Sequence, residues 1–548
     1  MSYQIPAAKL AELLAKARAH KEKDSQQIKP HTELQDSSQS LDRYGNSITL
    51  NSKQSEFVTL ATSMRSCILI GAAGTGKTTT MRAVIESLTS SCSLPILSNL
   101  DHKYLPHSGV PGIVACSYTR RAVSNLRKAM PPGLEGNCIT IHKLLEYQPI
   151  YETIFDPETG EEKSTMRFLP TRNSYNPISP QIRTIIIDEA SMVSVELFQL
   201  LLDALPHNPQ FIFLGDIQQL PPVFGSAILG YKLLELPTVE LTEVYRTAGT
   251  IIKYATQIKE GTTLKFPENF SDSCTRSKIT FHPWKKRIRG EDACMTFCRF
   301  ITNALDSGAY NPEEDMILIP FNKAFGTEEI NKSIANHIAK AQGRKVFEVI
   351  SGFNRLYFSE GDRVLYDKED AQIVSIKANS TYLGPRPKPA SVTLDYHGYD
   401  PIVRESEESS EDIDSLLNSL SDLGDTTERV KAASHVITVQ MLDSGAEIEL
   451  TTASELNSLL LSYTLTVHKS QGSEWRKVFL VLHQSHATMI QRELLYTAVT
   501  RAKEELYVIC EPDTFVKGVQ SQRIKGNDLK SKAEYFKGKL ETNKGIKY

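Results

Sequence analysis

The 548-residue chain contains no apolar run near the roughly 18 residues a membrane span needs, which argues against a membrane-embedded protein. Its first residues, MSYQIPAAKLAELLAKARAHKEK, lack an apolar core followed by a small-residue cleavage site. The expected compartment is therefore the cytoplasm, or the host cytoplasm if the chain is virus-encoded. Eight cysteines are scattered without a single Cys-x-x-Cys pair, which excludes a disulfide framework. Cys294 and Cys298 could share one helix face, but no His or Cys pair accompanies them, so they read as core thiols rather than metal ligands.

Positive charge is also missing where it would be expected of a chain that binds polyanions: the formal net charge is −3. The deficit is local. Between Glu405 and Glu428 stand nine acids and no Lys or Arg, which leaves +6 on the rest of the chain. Residues 517–548 carry nine Lys or Arg against three acids, and Lys285, Lys286, Arg287 and Arg289 cluster beside Trp284. Such patches could track phosphates, although a charge run is more often a solvated face.

At this length several domains are expected. Residues 6–23 set Leu10, Leu13, Leu14 and Ala17 at helical spacing, an amphipathic helix followed by a polar stretch to Tyr44. From Gly45 onward, the apolar runs CILI (67–70), GIVA (112–115), TIII (184–187) and FIFL (211–214) alternate with helical stretches, the rhythm of a parallel α/β sheet. A second series holds MILI (316–319) and VFLVL (478–482), interrupted at 356–458 by a segment rich in β-formers that contains the acidic, Ser-rich stretch. That stretch is too polar to build a core and reads as a loop.

Residues 71–78, GAAGTGKT, satisfy G-x-x-x-x-G-K-[ST] between an apolar strand and a helix, the context the pattern requires. The backbone of Gly71, Ala72, Ala73, Gly74, Thr75 and Gly76, continuing into Thr79, would wrap the phosphates of ATP. Lys77 supplies charge to the β and γ phosphates, and the Thr78 hydroxyl is offered to Mg²⁺. TIIIDEAS then provides Asp188 as a second metal group and Glu189 as general base. In FIFLGDIQQLPPV, Gln219 is placed to sense the γ phosphate beside the Pro221-Pro222 corner.

These residues resemble superfamily 1 helicases, and within them the RecD/Dda-like group of superfamily 1B, in order from Gly45 to Pro512. LNSKQSEFV looks like the adenine-reading motif with Gln54, SYTRRAV and TIHKLL like motifs Ia and Ib, and EVYRT, TVHKSQGSEW and YTAVTRAKEELYVI like motifs IV, V and VI. The resemblance implies an α/β fold of two RecA-like P-loop domains with parallel sheets, carrying a β-hairpin insertion in the first and an SH3-like β insertion in the second. The implied boundaries are 1–44 for the N-terminal helix and linker and 45–250 for domain 1A, with a 1B hairpin at about 146–182. Domain 2A spans 251–355 and 459–515, interrupted by domain 2B at 356–458 with its acidic loop at 404–430, and 516–548 forms a basic tail.

The resemblance further makes Arg246 and Arg501 arginine fingers and Glu474 the motif V acid near the ribose. It places Thr119, Arg120, His142, Pro222, Thr466, His468 and Lys469 on the strand-binding face. The runs flanking DPETGEE form the hairpin that acts in relatives as a strand-separating pin, with Phe155 and Phe168 as its aromatic supports. An ordinary hairpin with inward-facing aromatics is the plainer reading. After the GDRV strand the usual Asn-Gly turn of the SH3-like insertion is missing.

The implied activity is ATP-dependent 5′-to-3′ DNA unwinding with Mg²⁺, by a monomeric motor acting on single-stranded and on forked or tailed duplex DNA. Candidate sites for protein partners are the N-terminal helix, acidic loop and basic tail. The alternatives are a single-strand translocase that strips proteins or remodels forks, action on RNA, and an inactive nucleic-acid-binding subunit; the intact set of site residues speaks against the last.

Overall fold

The computed structural model describes residues 39–41, 47–91, 94–155, 162–223, 225–245, 249–262, 270–272, 277–283, 289–323, 325–352, 354–366, 369–382, 432–442 and 445–544. The expected N-terminal helix, the acidic loop 404–430, Arg246 and the Trp284–Arg287 cluster lie outside them. The chain divides into two compact units, one formed by residues 1–286 with 467–548 and the other by 287–466.

In the first unit a short antiparallel pair, β1 (Gln39–Leu41) and β2 (Ser47–Thr49), precedes α1 (Ser52–Thr62), β3 (Cys67–Gly71), α2 (Lys77–Ser91), β4 (Ile113–Ser117), α3 (Arg120–Ala129), β5 (Cys138–Thr140) and α4 (Ile141–Leu144). The hairpin β6 (Tyr147–Phe155) and β7 (Glu162–Pro170) follows, then β8 (Thr184–Asp188), α5 (Val195–Asp203), β9 (Gln210–Gly215), α6 (Ile228–Lys232), β10 (Thr238–Leu241) and α7 (Gly249–Glu260). The six strands β10-β3-β9-β8-β4-β5 form one sheet, and every pair in it is parallel. Residues of β3, β4 and β9 are buried throughout because helices cover both faces, which is why these strands read as continuous apolar runs.

β11 (Phe270–Asp272) pairs antiparallel with β12 (Ser277–Pro283). The second unit then supplies α8 (Gly290–Asp306), β13 (Met316–Ile319), α9 (Thr327–Ala341), the hairpin β14 (Val346–Ser351) and β15 (Asn354–Ser359), β16 (Arg363–Tyr366), β17 (Glu369–Ala378), β18 (Ala432–Met441), β19 (Glu447–Thr452), α10 (Ala453–Asn457), β20 (Leu460–Leu461) and β21 (Thr464–Thr466). In that unit β13 and β21 pair in parallel, whereas β19-β18-β17-β16-β20 form an antiparallel sheet with its own core around Ile373, Ile437, Val439 and Leu450. This sheet occupies the stretch where an SH3-like insertion was expected.

The first unit is completed by β22 (Trp475–Leu482), α11 (Arg492–Val499), β23 (Ala502–Cys510), α12 (Pro512–Gln520) and α13 (Leu529–Lys544), with β12, β23 and β22 running in parallel. The stretch expected to be a basic tail is thus largely helical. Ile524 and Phe536 enter the apolar core of the six-stranded sheet, with Leu529 and Tyr535 packed beside them, and burial of these side chains holds α13 in place. Among the described residues the cysteines, Cys294 and Cys298 included, are buried and form no disulfide, and no helix is long and apolar enough to cross a membrane.

Candidate nucleotide site and strand-binding face

The phosphate loop joins β3 to α2 at the carboxyl end of the parallel sheet, where ligands of such sheets bind. Gly74 and Gly76 take φ of 79° and 83°, the left-handed region that glycine enters without strain. At Gly76 the need is also spatial, since a Cβ there would stand 2.5 Å from Gln54 Nε2. Gln54 is oriented by a reciprocal cap on α1: its N–H donates to Asn51 Oδ1 at 2.8 Å and its Oε1 accepts from the Asn51 N–H at 3.0 Å. Lys77 Nζ donates to the carbonyls of Gly71 (2.7 Å) and Ala72 (3.1 Å), contacts it can exchange for phosphate oxygens.

Asp188 ends β8, and burial followed by the neighbouring Glu189 pushes its carboxyl up to about 7, against the pull of Lys77. A divalent cation would restore the charged form. Glu189 turns the chain off the strand with φ of 51°. Glu189 Oε2 and, after β9, Gln219 Oε1 are buried without a protein partner. Buried polar atoms are rarely left so unless something else binds them. Together with the exposed Thr78, the donor set fits a magnesium nucleotide.

Arg501 is 3% exposed, and its guanidinium donates to Thr497 O (2.9 Å), Ser473 O (3.2 Å) and Thr500 Oγ1 (3.1 Å), which fixes it beside α11. The same helix reaches the loop that carries Gln219. Tyr496 donates its hydroxyl to Asp216 Oδ2 at 2.7 Å, Leu220 N–H donates to Thr497 Oγ1 at 2.9 Å, and Gln471 Nε2 donates to Leu220 O at 3.0 Å. Tyr245, whose N–H donates to Gly74 O at 2.9 Å, brings the chain preceding Arg246 onto the phosphate loop. Glu474 is exposed just before β22.

Thr119 caps α3, accepting the Ala122 N–H at 3.2 Å, and Arg120 follows it half-buried. α3 lies against the loop before β22: Arg121 donates to Lys469 O at 3.4 Å and stacks over Trp475 at 5.7 Å, and Asn125 donates to Gly472 O. Lys469 is exposed; burial, then Arg523, lowers the His468 pKa, which favours neutral imidazole. Thr466 is buried at the end of β21 in the other unit, and Pro222 is buried as well. His142 packs edge-on between Tyr118 (5.4 Å) and Tyr147 (5.0 Å).

Residues 54–225 match the AAA domain family, and residues 461–509 match the UvrD-like helicase C-terminal domain. The chain is 26% identical over 415 residues to the ATP-dependent RecD2 DNA helicase of Deinococcus radiodurans, covering 74% of this chain and 47% of that protein. To the RecBCD enzyme subunit RecD of Buchnera aphidicola (subspecies Schizaphis graminum) it is 24% identical, covering 82% of this chain and 71% of the other. To the ATP-dependent DNA helicase dda of Enterobacteria phage T4 it is 30% identical over 198 residues, 35% of this chain and 37% of that one. These matches support a superfamily 1B helicase of the RecD/Dda-like group. The chain spans about half the length of the Deinococcus RecD2 protein.

Between the motifs that mark a RecD/Dda-like chain, β6 and β7 pair in unbroken register from Tyr147–Pro170 to Phe155–Glu162. Phe168 is 57% exposed; Phe155 ends β6, and the tip at 156–161 lies outside the described residues. The hairpin base is clamped by groups that sequence reasoning missed. Arg172 donates from Nε to Glu146 Oε2 (2.8 Å) and from Nη2 to Glu146 Oε1 (3.1 Å), and Lys103 N–H donates to Glu146 Oε1 at 2.6 Å. Burial alone would raise the Glu146 carboxyl, but these donors outweigh it and hold it below its usual range. Only the spacing of one acid before and one Arg after the two β runs hints at the clamp.

Proposed function

We propose that this chain is an ATP-dependent 5′-to-3′ DNA helicase that translocates on single-stranded DNA and separates the strands of tailed or forked duplex. The observation that carries the reading is a phosphate loop whose Lys77 holds only backbone carbonyls, close in the same sheet to two buried polar atoms, on Glu189 and Gln219, that lack protein partners. Thr78 and Asp188 would hold Mg²⁺, which when bound supplies charge neutralisation for the phosphates. Lys77 draws the β and γ phosphates onto the loop, Glu189 accepts the proton of the attacking water, and Gln219 reads the γ position. Arg501, and Arg246 by family analogy, neutralise charge that grows on the transferred phosphoryl.

The motif Ia helix, fastened to the motif V loop through Arg121, Asn125 and Trp475, offers Thr119, Arg120, His468 and Lys469 for backbone contacts that grip and release as the nucleotide state changes. The clamped hairpin with exposed Phe168 is suited to act as the wedge. The test uses duplexes with a 5′ or a 3′ tail, in DNA and in RNA, together with ATP hydrolysis with and without single-stranded DNA. Unwinding of the 5′-tailed DNA, with turnover stimulated by single strands and lost in Lys77→Ala, is expected. Preference for a 3′ tail refutes the direction, preference for RNA refutes the substrate, and stimulated turnover without unwinding reduces the activity to translocation.

A further inference from the structure

Past β23 the chain does not end at the last nucleotide motif but folds back across it. We propose that residues 521–544 are a positioning element of the nucleotide site, with Asn527 as the residue that keeps the Gln219 loop in register with the arginine-finger helix α11. The inference rests on the ATPase reading above.

The geometry begins at Arg492, the first residue of α11. Its N–H donates to Ser521 O (2.9 Å), its Nε to Val519 O (2.7 Å) and its Nη1 to Asn527 Oδ1 (2.7 Å). Glu493, 1% exposed, accepts the N–H groups of Ile524 (3.0 Å) and Arg523 (3.3 Å). The start of α11 is therefore held by the segment that follows α12. Asn527 then reaches in two more directions: Nδ2 donates to Glu260 O at the end of α7 (3.2 Å), and its carbonyl accepts from Gln218 Nε2 (2.9 Å). Gln218 is buried, and it directly precedes Gln219. One residue is thus bonded both to the helix that leads to Arg501 and to the loop that carries Gln219.

Beyond Asn527, α13 anchors the bridge. Phe536 fills the space over Gly230, where a Cβ would collide with its ring, and meets Tyr231 edge-on at 5.1 Å. A segment that merely covered an apolar patch would need Phe536 and its neighbours alone. Here the polar groups of Asn527 are divided between α7, α11 and the Gln219 loop, an arrangement that transmits position. Arg501 and Gln219 act on the same phosphoryl group, and a small loss of relative alignment lowers the rate of chemistry more than it lowers substrate binding.

Asn527 is itself exposed, so its replacement leaves the core intact and separates positioning from stability. The experiment measures steady-state ATP hydrolysis by the full chain at saturating single-stranded DNA for Asn527→Ala, Gln218→Leu, the double variant and Asn527→Asp, with melting temperature in parallel. The expected result is a roughly threefold to fivefold fall in kcat for each single variant, the scale of one ordinary hydrogen bond, with KM for ATP unchanged. The double variant should be no slower than the slower single one, because either substitution opens the same bridge. Asn527→Asp, which keeps an acceptor for Arg492, should retain most of kcat. Unchanged kcat in an active parent, additive losses, or a loss in KM alone would overturn the proposal, and so would a rise in turnover, which would make the segment a brake. A parent without ATPase activity would instead overturn the functional reading itself.

Discussion

Lys532 is fully buried in α13, an unusual place for an ammonium group, and replacing it with methionine should stabilise the protein at neutral pH. Burial lowers its pKa from 10.5 to about 8, even though Glu493 and Asp216 pull the other way; Arg492 and Lys259 add to the fall. A change of this size corresponds to about 3 kcal/mol of differential interaction between the charged and neutral forms. The sign follows from proton counting. Between pH 8 and 10.5 the unfolded chain keeps the proton that the folded chain sheds, so stability rises with pH across that window. Below pH 8 both states are protonated and the full penalty is present. Lys532→Met removes the charge while keeping an unbranched side chain of similar volume. Neither acid is orphaned: Asp216 accepts from Tyr496 and from the Gln218 N–H, and Glu493 accepts from two backbone N–H groups. Urea unfolding of parent and variant, followed at pH 7, 8, 9 and 10, should show the variant ahead by up to ~3 kcal/mol at pH 7 and the gap closing as pH rises. A variant less stable at pH 7 would show that the ammonium is a net stabiliser, and a gap independent of pH would show that its ionisation is not the cause; either result refutes the reasoning.

Arg501→Ala should lower the single-turnover rate of ATP hydrolysis by roughly 10³ with nucleotide affinity little changed; a near-normal rate would remove Arg501 from the site. Glu189→Gln keeps the shape of the side chain but cannot take a proton, so hydrolysis should fall by about 10² to 10⁴ while ATP binding persists in a fluorescent-nucleotide titration. Arg172→Met leaves Glu146 buried without its partner, at a cost of about 3–5 kcal/mol if the carboxylate stays charged, and faster amide exchange along β6 and β7 should report it. Because the Glu146 carboxyl is held below its ordinary value, the clamp contributes fully above the unfolded carboxylate's titration and is lost as pH falls through the folded one. Hairpin exchange that is already fast in the parent at pH 7 would refute that account.

The nucleotide motifs were legible because each is a local device: a strand end, a turn that needs glycine, and a functional group within a few residues. GAAGTGKT, TIIIDEAS and GDIQQ therefore point to a candidate phosphate site before any tertiary contact is known, and the alternating apolar runs announce the parallel strands that the structure contains. What escaped is long-range. Glu146 and Arg172 are separated by a whole hairpin, and neither has a neighbour that marks it for burial. Tyr496 reads as one more aromatic of an apolar helix until its hydroxyl meets Asp216, 280 positions earlier.

The C-terminal segment is the most instructive miss, because the composition that suggested a solvated basic tail is real. Nine of the residues from 517 to 548 are Lys or Arg. Yet Leu529, Lys532, Tyr535 and Phe536 recur at helical spacing, and that face is the one packed on the six-stranded sheet, with the lysine drawn in among the apolar groups. Charge counting averages over a helix, whereas burial selects one side of it. A single lysine at the inward position disguised the stripe, and the acids that make its burial tolerable, Asp216 and Glu493, belong to segments far away in sequence. The same displacement explains why Asn527 carries no signal of its own: its side chain binds Arg492 and Glu260 and its carbonyl binds Gln218, three partners that only the fold brings together.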